Sequence, residues 1–312
     1  MTEIAGHLLN SGKVNGVIAT KMTYGPQGPQ AQTIIVESFV ELLECQGSKY
    51  MPVATNQILR LLDSYGGVVA FIGTPCQIAG LRMLQERSTV VKMKVRYVIG
   101  NFCGGFKDLR ELKTIIRRQR MDPARIVRFR YRGGGQPGSM LIEDDVGRIQ
   151  ERPYPDYGGD TGFKKHNRCR LCIDGTAELA DFACGDAWLD RFLTSGSPWS
   201  LVITRNEMAT TIFQEMIAEE LVAVSNVTFE EIKQSQLTNL HSKKTRQTAR
   251  RKLYQLLAKS VPLYDGGYEE ECTSLSMELK IHLAHSMYLI LERLHLYLAL
   301  RPVLRLVKRL MR

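Results

Sequence analysis

Several segments that would assign a chain to a well-known class are missing from this sequence of 312 residues. No apolar run reaches the roughly 18 residues that suggest a membrane-spanning helix. The first residues, MTEIAGHLLNSGKV, lack the charged start and apolar run of a secretory signal, so we expect a cytoplasmic chain. A Walker phosphate loop, an HExxH helix and an acyl-transfer triad are also missing, so those catalytic classes are not predicted.

The seven cysteines are an odd number, and no second CxxC or HxxxH accompanies Cys169 and Cys172. Without a secretory signal, an odd count argues against a disulfide framework. A zinc site normally has a second ligand pair, and a thioredoxin-type pair usually opens a helix after a strand. Reduced thiols on separate loops suit a 4Fe-4S cluster. From the residues alone, two interpretations stay open: an iron–sulfur cluster, or a zinc staple or unligated thiols.

The net charge of +10 is unevenly distributed, with basic runs at 243–252 and 301–312. The first run has no aromatic residue to stack on bases, so no specific nucleic-acid binding is predicted. Residues 300–312 have apolar side chains at helical intervals and basic side chains on the opposite side, which is typical of an amphipathic helix that lies in an anionic membrane surface. Docking on 278–300 or on a partner protein is an equally open interpretation.

Strand-like and helix-like stretches alternate over the first 240 residues. The predicted strands are 14–20, 32–36, 68–72, 95–99, 126–132, 139–143, 199–204 and 221–227. The predicted helices are 4–10, 38–44, 55–64, 77–87, 108–120 and 209–220. This order predicts an α/β fold with a mostly parallel or mixed sheet core and flanking helices. A basic, polar linker is expected at 241–273 and a C-terminal helical extension at 274–312.

Two cysteines follow directly after predicted core strands, Cys76 in FIGTPCQIAGLR and Cys103 in VIGNFCGGF. Ligands in such sheets bind beyond the carboxyl ends of the strands, so we expect both thiols at one edge. The turn Gly73-Thr74-Pro75 leaves backbone amides for a phosphate or a flavin ring. Ser48 and Lys49, in a polar loop, are further candidates for binding phosphate, although an exposed loop is the commoner interpretation.

A third stretch, HNRCRLCIDGTAELADFACGDAWL, carries Cys169, Cys172 and Cys184 and is predicted to be an acidic, structured loop. Cys184 fits two interpretations, a small residue of the core or a fourth ligand in place of Cys103. Asp181, Asp186 and Trp188 are expected to cap and pack this loop, and Asp186 fits a capping or a catalytic role equally well.

Four motifs in this order, GSKY, IGTPCQIAGLR, FCGG and RCRLCIDGTAELADFACGDAW, make residues 1–240 resemble the coenzyme F420 hydrogenase/dehydrogenase beta-subunit family. The resemblance divides this domain at about residue 70 and implies an iron–sulfur flavoprotein with FAD and a 4Fe-4S cluster. It implies cluster ligands at Cys76, Cys103, Cys169 and Cys172. It implies flavin contacts at Ser48, Lys49, Tyr50, Thr74 and Gln77.

The function that this resemblance implies is an oxidoreductase that relays electrons between the cluster, FAD and an organic redox substrate. That substrate is F420 in archaeal members, and some relatives sit beside polysaccharide-synthesis enzymes. The ferredoxin-like CxxCxxCxxxCP module of many relatives is not in this sequence. The expected partner is therefore a ferredoxin or another electron-donor subunit. The alternative hypothesis is a noncatalytic scaffold with a structural metal site. The basic tail, residues 300–312, would hold this scaffold at the inner membrane face.

Overall fold

The computed structural model describes residues 1–106, 109–154, 165–264 and 274–293. Its strands are β1 (Gly16–Thr23), β2 (Gln30–Val36), β3 (Val69–Gly73), β4 (Val95–Asn101), β5 (Ile126–Arg130), β6 (Ser139–Asp144), β7 (Ile149–Pro153), β8 (Phe182–Asp186) and β9 (Ser200–Thr204). Its helices are α1 (Thr2–Asn10), α2 (Phe39–Glu44), α3 (Pro75–Gln85), α4 (Thr89–Lys94), α5 (Leu109–Arg118), α6 (Asn167–Arg170), α7 (Asp190–Leu193), α8 (Glu207–Ala218), α9 (Phe229–Ser235), α10 (Leu237–Leu240), α11 (Gln247–Leu256) and α12 (Leu275–Arg293).

The described chain divides into two compact units. The first contains Met1–Cys169 and Asp174–Leu237, and the second contains Arg170–Ile173 and the described residues from Thr238 onward.

The first unit is built on a six-stranded mixed sheet with the order β2-β1-β3-β4-β8-β9. The four central strands, β1, β3, β4 and β8, are parallel, and the edge strands β2 and β9 are antiparallel to their neighbours. Helices cover both faces, because alternate side chains of each buried strand point to opposite sides. This arrangement confirms the predicted α/β fold with a mixed sheet and flanking helices.

Each face of the sheet has its own apolar core. On one face, Leu8 of α1 and Met216 of α8 pack with Ile99 and Phe182. On the other face, helix α3 and the 3-10 helix Thr55–Asp63 contribute to a core with Phe71 and Val98. A smaller antiparallel sheet, β5-β6-β7, packs with α5 around a third core.

The second unit is helical where it is described. A π-helical turn, His241–Thr245, leads into α11, and α11 packs against α12. The linker predicted at 241–273 is therefore helical at its start. Ala249, Leu253 and Tyr254 of α11 are buried, so apolar burial outweighs the polar composition there. Among the described helices, none has the length and apolar character needed to cross a bilayer.

Several predicted elements differ in the structure. The acidic loop predicted at 166–189 contains strand β8, and the predicted strand 221–227 is not extended sheet but a loop with exposed Leu221 and Val224. The helix predicted at 55–64 has the 3-10 form. The basic stretch 300–312 lies outside the described residues.

Candidate functional site

Cys76 and Cys103 leave the sheet at equivalent positions of two neighbouring strands. Strands β3 and β4 are parallel, with Gly73 opposite Gly100, and each cysteine stands three residues after its glycine. Both turns therefore lie at the carboxyl edge of the sheet, where ligands of such folds bind. Cys76 is exposed and Cys103 is half-buried.

The Cys76 turn is held by a capping box at the start of α3. The backbone N–H of Thr74 donates to Gln77 Oε1 at 2.8 Å, and the Thr74 hydroxyl donates to the same oxygen at 3.0 Å. Gln77 Nε2 donates in turn to Thr55 Oγ1 at 2.8 Å. The first of these bonds satisfies a backbone N–H at the start of the helix, and the other two fix the Gln77 side chain that accepts it. Thr74 and Gln77 thus shape the turn itself, and their contact with a flavin stays a prediction.

A line of side-chain hydrogen bonds joins this turn to the sheet. Thr20 of β1 and Thr33 of β2 are 3.1 Å apart at their hydroxyls, and the Thr33 hydroxyl donates to Thr55 at 3.2 Å. At the other end, the Thr74 hydroxyl lies 3.5 Å from Cys76 Sγ. The Cys76 thiol is therefore the outermost member of a series of polar side-chain contacts that begins at Thr20 in the sheet.

The Cys103 turn contacts the stretch around Cys169. The backbone N–H of Cys103 donates to the carbonyl of Gly175 at 2.9 Å. The rings of Phe106 and His166 stack with their centroids 5.3 Å apart. Cys169 is buried, and its N–H donates to the His166 carbonyl at 2.9 Å. The structure thus brings the Cys103 turn to the segment that carries Cys169.

Cys172 is half-buried, and its backbone carbonyl accepts a hydrogen bond from Gln247 Nε2 at 2.9 Å. Across the residues described here, no set of three or more His, Cys, Asp or Glu side chains is arranged to hold a metal ion. The four-cysteine ligand set therefore stays a prediction, based on the placement of the turns.

Cys184, the alternative ligand, lies inside strand β8. Its side chain is 3% exposed and packs in the apolar core on one face of the sheet. Burial raises the pKa of its thiol above the ordinary value. Because the thiolate is the form that binds metal, this environment favours the core interpretation of Cys184.

The loop with Ser48, Lys49 and Tyr50 is attached to the end of α2. The Lys49 ammonium donates to the carbonyls of Cys45 and Gln46, which are carbonyls that the helix end leaves without partners. Burial lowers the pKa of Lys49 to about 8. The Tyr50 ring packs edge-on against Tyr131 at 5.0 Å, and Ser48 is half-buried. Their roles in binding a flavin stay predictions.

Sequence reasoning missed Arg132, which collects several partners near the end of β8. Its Nη1 lies 2.6 Å from Asp186 Oδ2, and its guanidinium lies over the rings of Trp188 at 5.0 Å and Tyr154 at 5.5 Å. Burial would lower the pKa of Arg132, but Asp186 and Tyr50 outweigh burial and raise it. The only signal in the sequence was a basic residue at the end of the alternating stretch IVRFRYR.

The opposite edge of the sheet carries structural contacts instead. Asp181, at the start of β8, accepts from the Val98 N–H at 2.7 Å and pairs with Arg82 at 3.0 Å. It therefore anchors α3 and β4 and does not cap the predicted cysteine loop. A groove of about 560 Å³ also lies at this edge, lined by residues that include Arg82, Lys92 and Arg96. This groove is away from the cysteine turns.

These features define the class of fold: a doubly wound α/β unit whose parallel strands end in turns that carry cysteine. Two family models of the coenzyme F420 hydrogenase/dehydrogenase beta subunit match the chain, the N-terminal model over residues 1–60 and the C-terminal model over residues 67–230. The chain therefore belongs to the coenzyme F420 hydrogenase/dehydrogenase beta-subunit family.

Named relatives agree with this assignment. The coenzyme F420-dependent sulfite reductase of Methanocaldococcus jannaschii is 26% identical over 244 residues, which cover 73% of this chain and 36% of that protein. Coenzyme F420 hydrogenase subunit beta of Methanococcus voltae is 25% identical over 202 residues, which cover 60% of this chain and 63% of that protein. The chain thus spans less than two thirds of either relative.

A solved structure shares the fold. A chain of the F420-reducing NiFe hydrogenase complex from Methanosarcina barkeri superposes with a TM-score of 0.64 at 17% sequence identity. The match covers 84% of this chain and 87% of that one. At this identity, the likeness supports the fold of the chain and leaves its ligands to be argued from its own residues.

Proposed function

We propose that this chain is an electron-transfer oxidoreductase in which Cys76, Cys103, Cys169 and Cys172 hold a 4Fe-4S cluster. The observation that carries the proposal is the equivalent placement of Cys76 and Cys103 after paired glycines of adjacent parallel strands. The contact between the Cys103 turn and the Cys169 segment supports it further. When bound, the cluster would supply one-electron transfer, and four thiolates are the usual ligands of such a cube.

The chain's own residues contribute positioning and electrostatics. The capping box of Thr74 and Gln77 fixes the backbone from which Cys76 projects. The Thr74 hydroxyl, which donates to Gln77 Oε1, lies 3.5 Å from the Cys76 sulfur and can donate to it instead by rotating. Donors near a ligating sulfur stabilise its negative charge and so tune the site.

The proposal includes FAD at the same edge, near Ser48, Lys49, Tyr50, Thr74 and Gln77. Support comes from the aromatic and cationic side chains collected there, which suit a flat ring system and its phosphates. The electron partners in this proposal are a ferredoxin or other donor subunit and an organic redox substrate. Polysaccharide metabolism, beside which some relatives sit, is the pathway we propose for that substrate.

The test is anaerobic purification or reconstitution, followed by visible spectroscopy and assays of iron and sulfide. We expect about four irons per chain and a broad visible absorption, both lost in Cys76→Ser and Cys169→Ser. Cys45→Ser is the control, because the exposure of Cys45 lies between those of Cys76 and Cys169, and Cys45 lies at the end of α2. Stoichiometric zinc, or full iron content in both variants, would contradict the cluster.

A flavin spectrum tests the FAD part separately. We expect released FAD in the supernatant of heat-treated protein, and less of it in Arg132→Met. Arg128→Met is the control, since Arg128 lies on the same strand region and is 60% exposed. Protein that binds iron but no flavin would support the cluster and contradict the binding of FAD.

One observation favours the alternative, a noncatalytic scaffold at an anionic membrane surface. Along α12, apolar side chains recur at intervals of three or four residues and are exposed: Leu275, Leu279, Leu283, Met287 and Ile290. A folded but colourless protein that floats with anionic liposomes would support the scaffold. Equal flotation of the full chain and of residues 1–299 would dispose of a lipid role for the tail.

A further inference from the structure

Helix α11 binds the backbone of the CxxC segment with two buried side chains. Gln247 Nε2 donates to the carbonyls of Arg170 and Cys172, at 2.9 Å each. Arg250 Nη1 donates to the Arg170 carbonyl at 2.6 Å. Gln247 is fully buried and Arg250 nearly so. Both donors would be costly to bury without these acceptors, so the contacts are built into the fold of the second unit.

The carbonyl between these two is bound as well. The hydroxyl of Tyr264 donates to the carbonyl of Leu171 at 2.5 Å, and the guanidinium of Arg251 lies 5.6 Å from the Tyr264 ring. Three successive carbonyls, those of residues 170, 171 and 172, thus each accept from a side chain of the second unit.

A buried carboxylate keeps Arg250 in place. Glu278 of α12 is 3% exposed and accepts from Arg250 Nε at 3.0 Å and from Arg246 Nε at 2.6 Å. Arg250 also donates to the Ser242 carbonyl at 3.2 Å. With its guanidinium bound on several sides, Arg250 cannot turn away from the Arg170 carbonyl without breaking a buried ion pair.

The hydrogen bonds to these three carbonyls also constrain the neighbouring backbone atoms. A peptide group is planar, so holding its C=O also sets the direction of its N–H and of the next Cα. The bonds to residues 170–172 therefore set the direction from which the Cys172 side chain leaves the backbone. Neighbouring groups that orient a ligand typically change metal affinity ten- to a hundredfold when removed.

We call Gln247, Arg250 and Tyr264 the clamp. All three lie beyond the stretch that the family models match, which ends at residue 230. We propose that Gln247, Arg250 and Tyr264 are positioning residues that hold Cys172, and the peptide groups before it, in the conformation in which Cys172 ligates the cluster. This inference rests on the proposed function of Cys172 and adds a role for the C-terminal helices.

The test compares Gln247→Met with Gln255→Met in the full chain. Methionine has nearly the size of glutamine and donates no hydrogen bond, and Gln255 is exposed on the same helix, so it serves as the control. Circular dichroism and amide hydrogen exchange of residues 170–173 are measured first, without iron. Iron content, electron paramagnetic resonance and the rate of iron loss to a chelator are measured after anaerobic reconstitution.

We expect both variants to fold, with faster exchange at 170–173 in Gln247→Met alone. We also expect Gln247→Met to lose iron roughly ten- to a hundredfold faster than Gln255→Met and to show shifted resonance lines. Equal rates and equal spectra in the two variants would overturn the clamp while leaving the cluster intact. Wild-type protein that takes up no cluster would instead overturn the proposed function, and the positioning role with it.

Discussion

Glu278 is the residue whose replacement tests the electrostatics of the second unit most directly. It is 3% exposed and accepts hydrogen bonds from Arg246 at 2.6 Å and from Arg250 at 3.0 and 3.3 Å. Glu278→Gln keeps the size and one acceptor oxygen but removes the negative charge. Two guanidinium groups are then left without their shared counter-ion.

The expected cost follows from the burial of these charges. Removing one partner of a buried ion pair typically costs about 3–5 kcal/mol, because the remaining charge stays buried and uncompensated. Since glutamine still accepts a hydrogen bond, we expect the lower end, about 3 kcal/mol. At about 1.4 kcal/mol for each factor of ten, amide exchange in α11 and α12 should accelerate roughly 100-fold.

The effect also has a predicted dependence on pH. Burial would raise the pKa of Glu278, but hydrogen bonds and charge from Arg250 and Arg246 outweigh it and hold the pKa below its ordinary value. The carboxylate therefore stabilises the fold fully above the unfolded-state pKa, and this stabilisation is lost as the pH falls through the folded-state pKa. Wild type and variant should differ most near neutral pH and converge in acid.

Hydrogen exchange followed by mass spectrometry measures this difference for α11 and α12 separately from the sheet. Glu230→Gln is the control, since Glu230 is 78% exposed and its pair with Lys233 lies on the surface. An exchange rate in Glu278→Gln within a factor of about two of wild type near neutral pH would refute the reasoning about buried charge.

Three further outcomes are expected from the sheet and its edge. Gly100→Ala would place a Cβ 2.3 Å from the Ala177 Cβ and should lower the free energy of unfolding, measured by urea titration, by about 1–3 kcal/mol. Gly104→Ala is the control, because a Cβ there meets open space. Equal urea midpoints for the two variants would contradict this packing. Cys184→Ser should lower the free energy of unfolding by about 1–3 kcal/mol in the same assay and leave the iron content unchanged. A loss of iron in this variant would instead indicate that Cys184 is a ligand. The Lys49 amine should titrate at about 8 by carbon-13 NMR, and a midpoint near 10.5 would contradict its burial.

The central strands were predictable because burial on both faces makes them apolar runs. The stretches around Val17, Phe71 and Val98 are of this kind, and each became a parallel strand. The position of the two cysteine turns followed from the same rule, since turns after parallel strands share an edge.

Strand β8 escaped prediction because FACGD is short, contains glycine and ends in an acidic residue. Only its place between β4 and β9 makes it a strand, and that pairing is not visible in local sequence. The opposite error occurred at 221–227, where β-branched residues suggested a strand but no neighbouring strand pairs with them in the described part of the chain. Arg132 was missed because its partners, Asp186 and Trp188, are more than fifty residues away.

The single hydroxyl proton of Thr74 has two acceptors within reach, the Gln77 amide oxygen and the Cys76 sulfur. Rotation about one bond turns that proton from Gln77 Oε1 to the sulfur, while Gln77 Oε1 keeps the backbone N–H of Thr74. No heavy atom has to move. The turn can therefore give a hydrogen bond to the Cys76 sulfur or withdraw it with little reorganisation, a property that suits a residue exposed to changing redox conditions.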